Sequence, residues 1–236
     1  MSLLNLGQRQ IAVEAMRNWL DARKGKPTNA PGERGKTIDQ EAKPLVNHYL
    51  AGEVSLEQFK FNMDGIGRRQ DSTGSYYLWK FNGPGGQMFF NMFTNVAEDK
   101  AECDKQLKLA IHAPADDEGA RGQIANFVEY VKTLGTKYVA AGGSNRKTPQ
   151  PGKTAFFLSF FWQIHDRNAW PIYYNASVKQ MIAMGLWQLP SDIGERYLQF
   201  KQLQEELSTL FSQESGQTFS FYDVEGVFWY RSKLVS

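Results

Sequence analysis

Apolar residues recur at spacings of three and four along most of the chain, as in helices that bury one face. Little of the sequence alternates between apolar and polar residues, and there is no internal repeat, so we predict a mainly α-helical protein. The segments with helical spacing are Leu6–Ala22, Thr37–Tyr49, the stretch starting at Ser55, Gln87–Phe93, Asp99–Ile111, Gly122–Leu134, Val178–Leu186, Arg196–Phe211 and Phe219–Tyr230.

The most apolar helical stretch lies within the segment Pro151–Val178. From Phe156 to Ile164 the residues are apolar on almost every side of a helix, which predicts a fully buried helix. Polar residues at 165–168 end this helix, and an aromatic segment follows from Trp170. The segment therefore brings polar groups to the edge of an aromatic core, and we expect the rest of the chain to support it.

Two glycines, Gly65 and Gly67, are followed directly by Arg68 and Arg69. A Gly-x-Gly turn of this kind presents backbone amides and cations to a phosphate group. The same residues are also typical of an ordinary turn that leads into the next aromatic segment. Both interpretations stay open from the sequence.

A second basic region, residues 140–153, comes just before the central helix. Its glycines and prolines predict a flexible loop, and it carries Arg146, Lys147 and Lys153. We predict that these cations form a phosphate clamp. The earlier basic segment Arg23–Lys36 has the composition of an exposed connector, with a phosphate-contacting arm as the alternative.

Glycines at positions 83, 85 and 86 predict a tight turn before a helix that begins at Gln87. Phe89 lies on the apolar side of this helix, and Gln87 and Asn91 share the other side. Amide side chains at such a junction read the hydrogen-bonding edge of a nucleic acid base, or they cap the helix. The sequence does not decide between these two roles.

Composition narrows the possible chemistry. The chain has 236 residues and a formal net charge of +2, which neither requires nor excludes a nucleic acid partner. Cys103 is the only cysteine and the three histidines are scattered, so we expect no disulfide, no metal and no other cofactor.

The beginning of the sequence has no targeting pattern and no window approaches a membrane span, so we expect a cytoplasmic protein outside the membrane. Aromatic residues make up 14% of the chain, more than a core requires, which suggests that some rings line a pocket.

The run Pro151-Gly152-Lys153-Thr154-Ala155, the buried helix after it and the segment Pro171–Val178 resemble in layout the helix-hairpin-helix DNA glycosylases. The second glycine of the family's hairpin is missing here, and the spacing is a few residues longer. The resemblance implies a helical, two-lobed fold of that type. It places the family's catalytic aspartate on Asn175, and the lysine that bifunctional members use as a nucleophile on Lys153.

A second resemblance covers more of the chain. The block of residues 78–91 and the segment Trp170–Val178 look like helical modules of phage-defence and modification-dependent restriction proteins. The chain has no Walker motif, which predicts a stand-alone version. Stand-alone proteins of this kind include glycosylases that remove hypermodified cytosines. The resemblance thus implies double-stranded phage DNA as the partner and a modified cytosine, such as glucosylated hydroxymethylcytosine, as the substrate.

A glycosylase flips its target nucleotide into a pocket and stabilises the positive charge that develops on the sugar. Asn175 has no charge and would orient a water molecule, or else cap the next helix. Asp166 is a possible source of the missing carboxylate, and His165 beside it would move a proton near neutral pH, although both also suit an ordinary helix end. Lys153 contacts phosphate, acts as nucleophile or lies in solvent. The proposed walls of the pocket are Tyr173, Tyr174, Trp162, Trp170 and Phe89, with one of the two tyrosines expected in the core.

Three classes of function remain open. The first, which we prefer, is an enzyme that excises a modified base; the second is a module that binds modified DNA without cutting it. The third is a helical protein-interaction domain in which the aromatic residues are core only. For all three we predict a single domain, with approximate lobes at residues 1–115 and 116–236.

Overall fold

The computed structural model describes residues 2–23, 37–70, 77–78 and 81–234, with side chains to residue 230. The basic segment Arg23–Lys36 lies, beyond its first residue, outside this part of the chain. The prediction of a mainly helical protein is confirmed, because every element among the described residues is helical. The α-helices are α1 (Leu6–Arg23), α2 (Lys43–Leu50), α3 (Leu56–Gly67), α4 (Gln87–Val96), α5 (Lys100–Ile111), α6 (Asp117–Ala140), α7 (Thr154–His165), α8 (Asn175–Ala183), α9 (Ile193–Ser215) and α10 (Phe221–Leu234).

Three short helical turns complete the list of elements. A π-helical turn, Ile38–Ala42, leads directly into α2. Two 3₁₀ turns, Asn145–Lys147 and Pro151–Lys153, lie between α6 and α7. Thr37, directly before the π-helical turn, has helical backbone angles, and its side chain makes no capping bond.

The chain forms two compact units. The terminal unit contains Met1–Asn29 and Arg167–Ser236, and the central unit contains Ala30–Asp166. The predicted lobe boundary at residues 115 and 116 falls inside the central unit, between α5 and α6, which pack against each other. The reason is that α1 packs on α9 and α10, which joins the two ends of the chain.

The central unit is built around α7. Residues Thr154–Ile164 of this helix are all buried, as the apolar stretch predicted. Helices α2, α5 and α6 contact it. The ring of Phe157 lies at the centre of the aromatic cluster, with its centroid 4.7 Å from that of Phe89 and 5.2 Å from that of Phe161. Most of the aromatic residues of this unit therefore fill its interior.

In the terminal unit, α10 lies against α8, α9 and α1. A Cβ atom added to Gly226 would come 3.2 Å from the Trp19 ring, so α10 and α1 approach closely at this glycine. Ahead of α8, the hydroxyl group of Tyr197 donates a hydrogen bond to the carbonyl oxygen of Pro171 at 3.1 Å. This bond ties the segment before α8 to α9.

Side chains cap the starts of several helices. Ser55 and Gln58 form a capping box at α3. Asp99 and Asp116 accept hydrogen bonds from backbone N–H groups of α5 and α6, respectively. Leu109 of α5 has an apolar side chain but is 57% exposed. The helical spacing of α5 was right, but its apolar stripe is narrower than expected.

Gly122 provides a test of helix propensity within α6. A Cβ atom added at this position meets no atom within 4 Å, so Gly122→Ala is expected to raise the free energy of unfolding by about 0.5–1 kcal/mol. The control is Gly216→Ala, because Gly216 ends α9 in the left-handed region with φ +69° and its replacement should cost about 1–2 kcal/mol. Urea unfolding of both variants measures the difference; a loss of stability in Gly122→Ala would contradict the prediction.

Candidate nucleic-acid interface

The connector between α6 and α7, residues 141–153, is packed against α6 along part of its length. A Cβ atom on Gly143 would lie 2.3 Å from the Tyr138 ring, so only glycine fits beneath this ring. Further along, Thr148 is buried and its Cβ lies 3.5 Å from the position of a Cβ on Gly135. The expected flexible loop is therefore a segment with defined turns and two anchor points.

Four cations lie at the protein surface on α6 and on this connector. Arg146 and Lys147 are exposed on the first 3₁₀ turn, Lys137 is exposed near the end of α6, and Lys153 is half-buried. In the described part of the chain none of the four forms an ion pair. The sequence contains no Asp or Glu from residue 130 to residue 165. We call these four residues the basic connector; they form a surface of one sign that attracts phosphate groups.

Lys137 was missed from the sequence. The signal that would have found it is the long interval without acidic residues, which extends back into the helix before the predicted loop. From helical spacing alone, Lys137 is an ordinary residue on the solvent-exposed side of a helix. The structure relates Lys137 to the connector because the next residue, Tyr138, packs over Gly143.

Arg68 and Arg69 differ from the basic connector in their electrostatic surroundings. Arg68 pairs with Asp64 at 2.8 Å, and Arg69 pairs with Glu41. The Gly65–Gly67 sequence before them was expected to form a turn, which is wrong, because these residues form the last turn of α3. A helix ends in free carbonyl groups, which repel a phosphate. This site therefore lacks the free amides and unpaired cations that the sequence suggested.

The proposed catalytic residues are divided between the two units. Lys153, His165 and Asp166 belong to the central unit and Asn175 to the terminal unit. Lys153 is the N-cap residue of α7, and Asp166 is exposed directly after the last residue of that helix. Asn175 is exposed as the first residue of α8. The alternative that Asn175 caps this helix is wrong, because the N-cap is Tyr174.

His165 is held in a partly buried position at the end of α7. The ammonium group of Lys43 donates a hydrogen bond to the His165 carbonyl oxygen at 2.9 Å, and the centroid of the His112 ring lies 6.4 Å from its own. Its Nε2 atom is buried and has no hydrogen-bond partner. Burial lowers the pKa of His165 below the ordinary 6.5, and the charges of His112 and Lys43 lower it further, against a hydrogen bond that the ring donates to the backbone of Ile111, which raises it.

This lowered pKa predicts a pH dependence of stability. Below pH 6.5 the unfolded chain takes up the proton that folded His165 resists, so the free energy of unfolding falls as the pH falls from 6.5 towards the folded pKa. His165→Gln is expected to flatten this dependence in urea unfolding between about pH 5 and pH 7. His48→Gln is the control, since His48 is an exposed residue paired with Glu53. An unchanged profile in His165→Gln would contradict the prediction.

Two of the proposed aromatic walls belong to the core of the central unit. Trp162 is fully buried, and its indole N–H donates to the carbonyl oxygen of Ala110 at 3.0 Å. Phe89 is 1% exposed and packs on Phe157 and Phe127. Their placement favours the structural interpretation of both residues.

The other three proposed walls lie in the terminal unit. Tyr173 is buried against Trp187 and Phe200, which confirms that one of the two tyrosines belongs to the core. Burial raises the pKa of the Tyr173 hydroxyl group to about 12, although Arg196 opposes the shift. Trp170 is buried too, with the Lys201 ammonium group 5.5 Å from its ring centroid. Tyr174 is half-buried, and this makes it the most accessible of the five rings.

Gln87 and Asn91 occupy different environments on α4. Gln87 is 5% exposed, whereas Asn91 is exposed at the surface. Neither side chain caps the helix, since the N-cap is Gly86 and α4 has no side-chain cap. The Oε1 atom of Gln87 is buried without a hydrogen-bond partner. The capping interpretation is therefore wrong.

Two surface grooves lie elsewhere. One of about 260 Å³ is lined by residues of α1 and α9, including Arg9 and Glu206, and one of about 500 Å³ lies along α3 beside the exposed Phe61. None of the proposed site residues lines either groove. Among the described residues, no three His, Cys, Asp or Glu side chains lie close enough together to hold a metal ion. No described helix is both long and apolar enough to cross a membrane.

Comparisons with protein-family models, curated proteins and solved structures found no match. The functional argument therefore depends on the residues of this chain. The basic connector is the surface with the clearest chemical character, and Asn175 and Tyr174 are the accessible residues at the start of α8.

Proposed function

We propose that this protein binds double-stranded DNA and excises a modified cytosine from it, with glucosylated hydroxymethylcytosine of phage DNA as the substrate. The observation that carries the DNA-binding part is the basic connector: four cations without ion pairs among the described residues, one on α6 and three on the segment anchored to it. Such cations bind the phosphate backbone without reading sequence.

Base excision rests on the layout of the central segment. The Pro-Gly-Lys turn stands directly before the buried helix α7, as in the resemblance to the helix-hairpin-helix glycosylases. The position of the family's aspartate, Asn175, is exposed at the first turn of α8. These two positions support a glycosylase-type, two-lobed helical fold.

The reaction we propose is a hydrolysis. A water oxygen bonds to C1′ of the sugar, the glycosidic bond breaks, and the base leaves with the bonding electron pair and takes up a proton. Asn175 would orient the water molecule through its amide group. The water molecule supplies the proton that the departing base takes up. Lys153 would bind a phosphate as part of the basic connector.

One observation favours a second function, the binding of modified DNA without excision. Asn175 carries no charge where the resembled family uses an aspartate. An amide neither stabilises a cation as a carboxylate does nor removes a proton from water. In that case the basic connector would bind the DNA backbone, and the biological effect would come from obstruction or from another protein.

The deciding experiment incubates the purified protein with phage DNA that contains glucosylated hydroxymethylcytosine and, in parallel, with unmodified DNA. Mass spectrometry detects released bases, and an aldehyde-reactive probe detects abasic sites. Release from the modified DNA alone is the expected result, together with its loss in Asn175→Ala. The control variant is Asn95→Ala, an exposed asparagine on α4 of the central unit, which should keep full activity.

Two other outcomes have defined meanings. If no base is released but the modified DNA is retained in a salt-sensitive complex, the binding function replaces excision. If the protein neither releases a base nor binds DNA, both functions fall, and the protein-interaction alternative takes their place.

A further inference from the structure

Helix α3 buries one side and exposes the opposite side. Leu56, Phe59, Met63 and Ile66 are buried, and α2 and α4 pack against the helix. Phe61 lies on the other side and is 78% exposed. A single exposed apolar residue is common on protein surfaces, but this one forms a wall of the groove of about 500 Å³ that runs along α3. The exposed side of α3 is therefore a shaped surface with an aromatic ring at its centre.

The groove beside Phe61 combines apolar and acidic walls. Its lining residues are Glu53, Val54, Glu57, Gln58, Phe61 and Asn62, and none of these is a cation. Glu53 pairs with His48 but keeps 60% of its side chain exposed. Such a groove fits a long side chain that has an apolar stem and a positively charged end. Arginine has this form, and its guanidinium group also binds on aromatic rings.

The C-terminal half of the same helix side carries the complementary features. Gly65 is exposed, and a Cβ atom at this position would meet no atom within 4 Å, so the helix backbone is bare there. Arg68 pairs with Asp64 on its own helix, yet 63% of its side chain remains exposed. A guanidinium group has five N–H donors, so Arg68 has donors for a second carboxylate. At 3.6 residues per turn, Gly65 and Arg68 lie within about 40° of Phe61 around the helix axis.

We propose that two copies of this protein associate through α3, with the two helices antiparallel and centred on residue 63. Residues at equal distances from the centre then face each other. Phe61 lies against the partner's Gly65, where the missing side chain lets the helices approach. Glu57 lies within about 1.5 Å, one residue rise, of the level of the partner's Arg68. Two-fold symmetry repeats each contact, so a second copy supplies both the arginine that the groove fits and the ring that covers the bare backbone.

Analytical ultracentrifugation of the full chain, without DNA, measures this association. One pair of helices buries less than the standard interface of about 1,600 Å², so wild type should be a monomer at low micromolar concentration and a dimer at submillimolar concentration. Gly65→Gln is expected to stay monomeric throughout, because the new side chain occupies the place of the partner's Phe61. Its fold should be kept, since glutamine favours a helix more than glycine does. The matched control is Gly122→Gln, at another helical glycine with open space around it, which should dimerise like wild type.

A charge exchange tests the antiparallel arrangement directly. Glu57→Arg and Arg68→Glu each place like charges in both ion-pair contacts, so each variant alone should remain monomeric. In an equimolar mixture of the two variants, opposite charges meet again in both contacts, and the mixed sample should dimerise. Circular dichroism of each variant checks that it is folded.

Three results would overturn the inference. Wild type that stays monomeric at every concentration would leave the groove to a partner of another kind. A dimer that persists in Gly65→Gln would use a different surface, and a charge-exchange mixture that stays monomeric would exclude the antiparallel arrangement. Should Arg68→Glu fail to fold, the comparison of Gly65→Gln with Gly122→Gln decides alone. Because no DNA is present, none of these results depends on the proposed function.

Discussion

Replacing Phe157 with alanine is expected to lower the free energy of unfolding by about 3–5 kcal/mol, the range for a large aromatic residue removed from a packed core. Phe157 is fully buried on α7. Its ring contacts five others, from four different segments of the central unit. The variant loses the burial of the ring and also leaves a cavity that these neighbours cannot all close, since each is held by its own element.

Urea unfolding followed by tryptophan fluorescence measures this effect. The control is Phe61→Ala, which removes the same side chain from α3, where it is 78% exposed, and should change the stability by less than about 0.5 kcal/mol. A loss of under about 1.5 kcal/mol in Phe157→Ala, comparable to an ordinary surface change, would mean that α7 is not the centre of the core. The comparison tests the fold independently of any function.

The second large effect concerns the basic connector. The double variant Arg146→Ala and Lys147→Ala should weaken binding to plain duplex DNA on the order of 50-fold at 0.1 M salt, because each phosphate contact contributes about 0.9 to the salt dependence of affinity. The slope of the logarithm of the binding constant against the logarithm of salt concentration should become shallower by about 1.8. Both residues are exposed and form no ion pair in the part of the chain described, so their removal should leave the fold unchanged.

A matched control removes two other arginines. Arg68→Ala and Arg69→Ala also subtract two positive charges, but these residues are paired with Asp64 and Glu41. Fluorescence anisotropy at several salt concentrations should show a much smaller change of slope for this pair. Equal losses in the two double variants would show that net charge alone controls the affinity. The basic connector would then lose its special role.

The local features of the chain were predictable to different degrees. The helix starts at Ser55 and Asp99 were predictable, because a capping side chain acts only on the backbone next to it. For Gly65–Gly67 the local sequence predicted a turn, and this was wrong. Glycines also occur in the last turn of a helix when the neighbouring packing supports it. The helix α3 continues through these glycines despite their preference for turns.

The candidate site was less predictable than the fold. Arg68 and Arg146 look alike in the sequence, each beside a second cation and near glycine. Only the structure shows that an acidic residue neutralises the first and that no acidic residue pairs with the second among the described residues. Trp162 and Phe89 likewise carried the aromatic signal of a base pocket and proved to be core residues.

The sequence by itself determined the helical class, the position of the buried helix α7 and the concentration of positive charge ahead of it. These properties follow from the order of residues along the chain, through spacing, capping and composition. Only the tertiary structure decided that the two ends of the chain form one unit, which cations are free of ion pairs in the described part and which amide oxygens lack donors. Such properties depend on contacts between residues far apart in sequence, and local spacing carries no information about them.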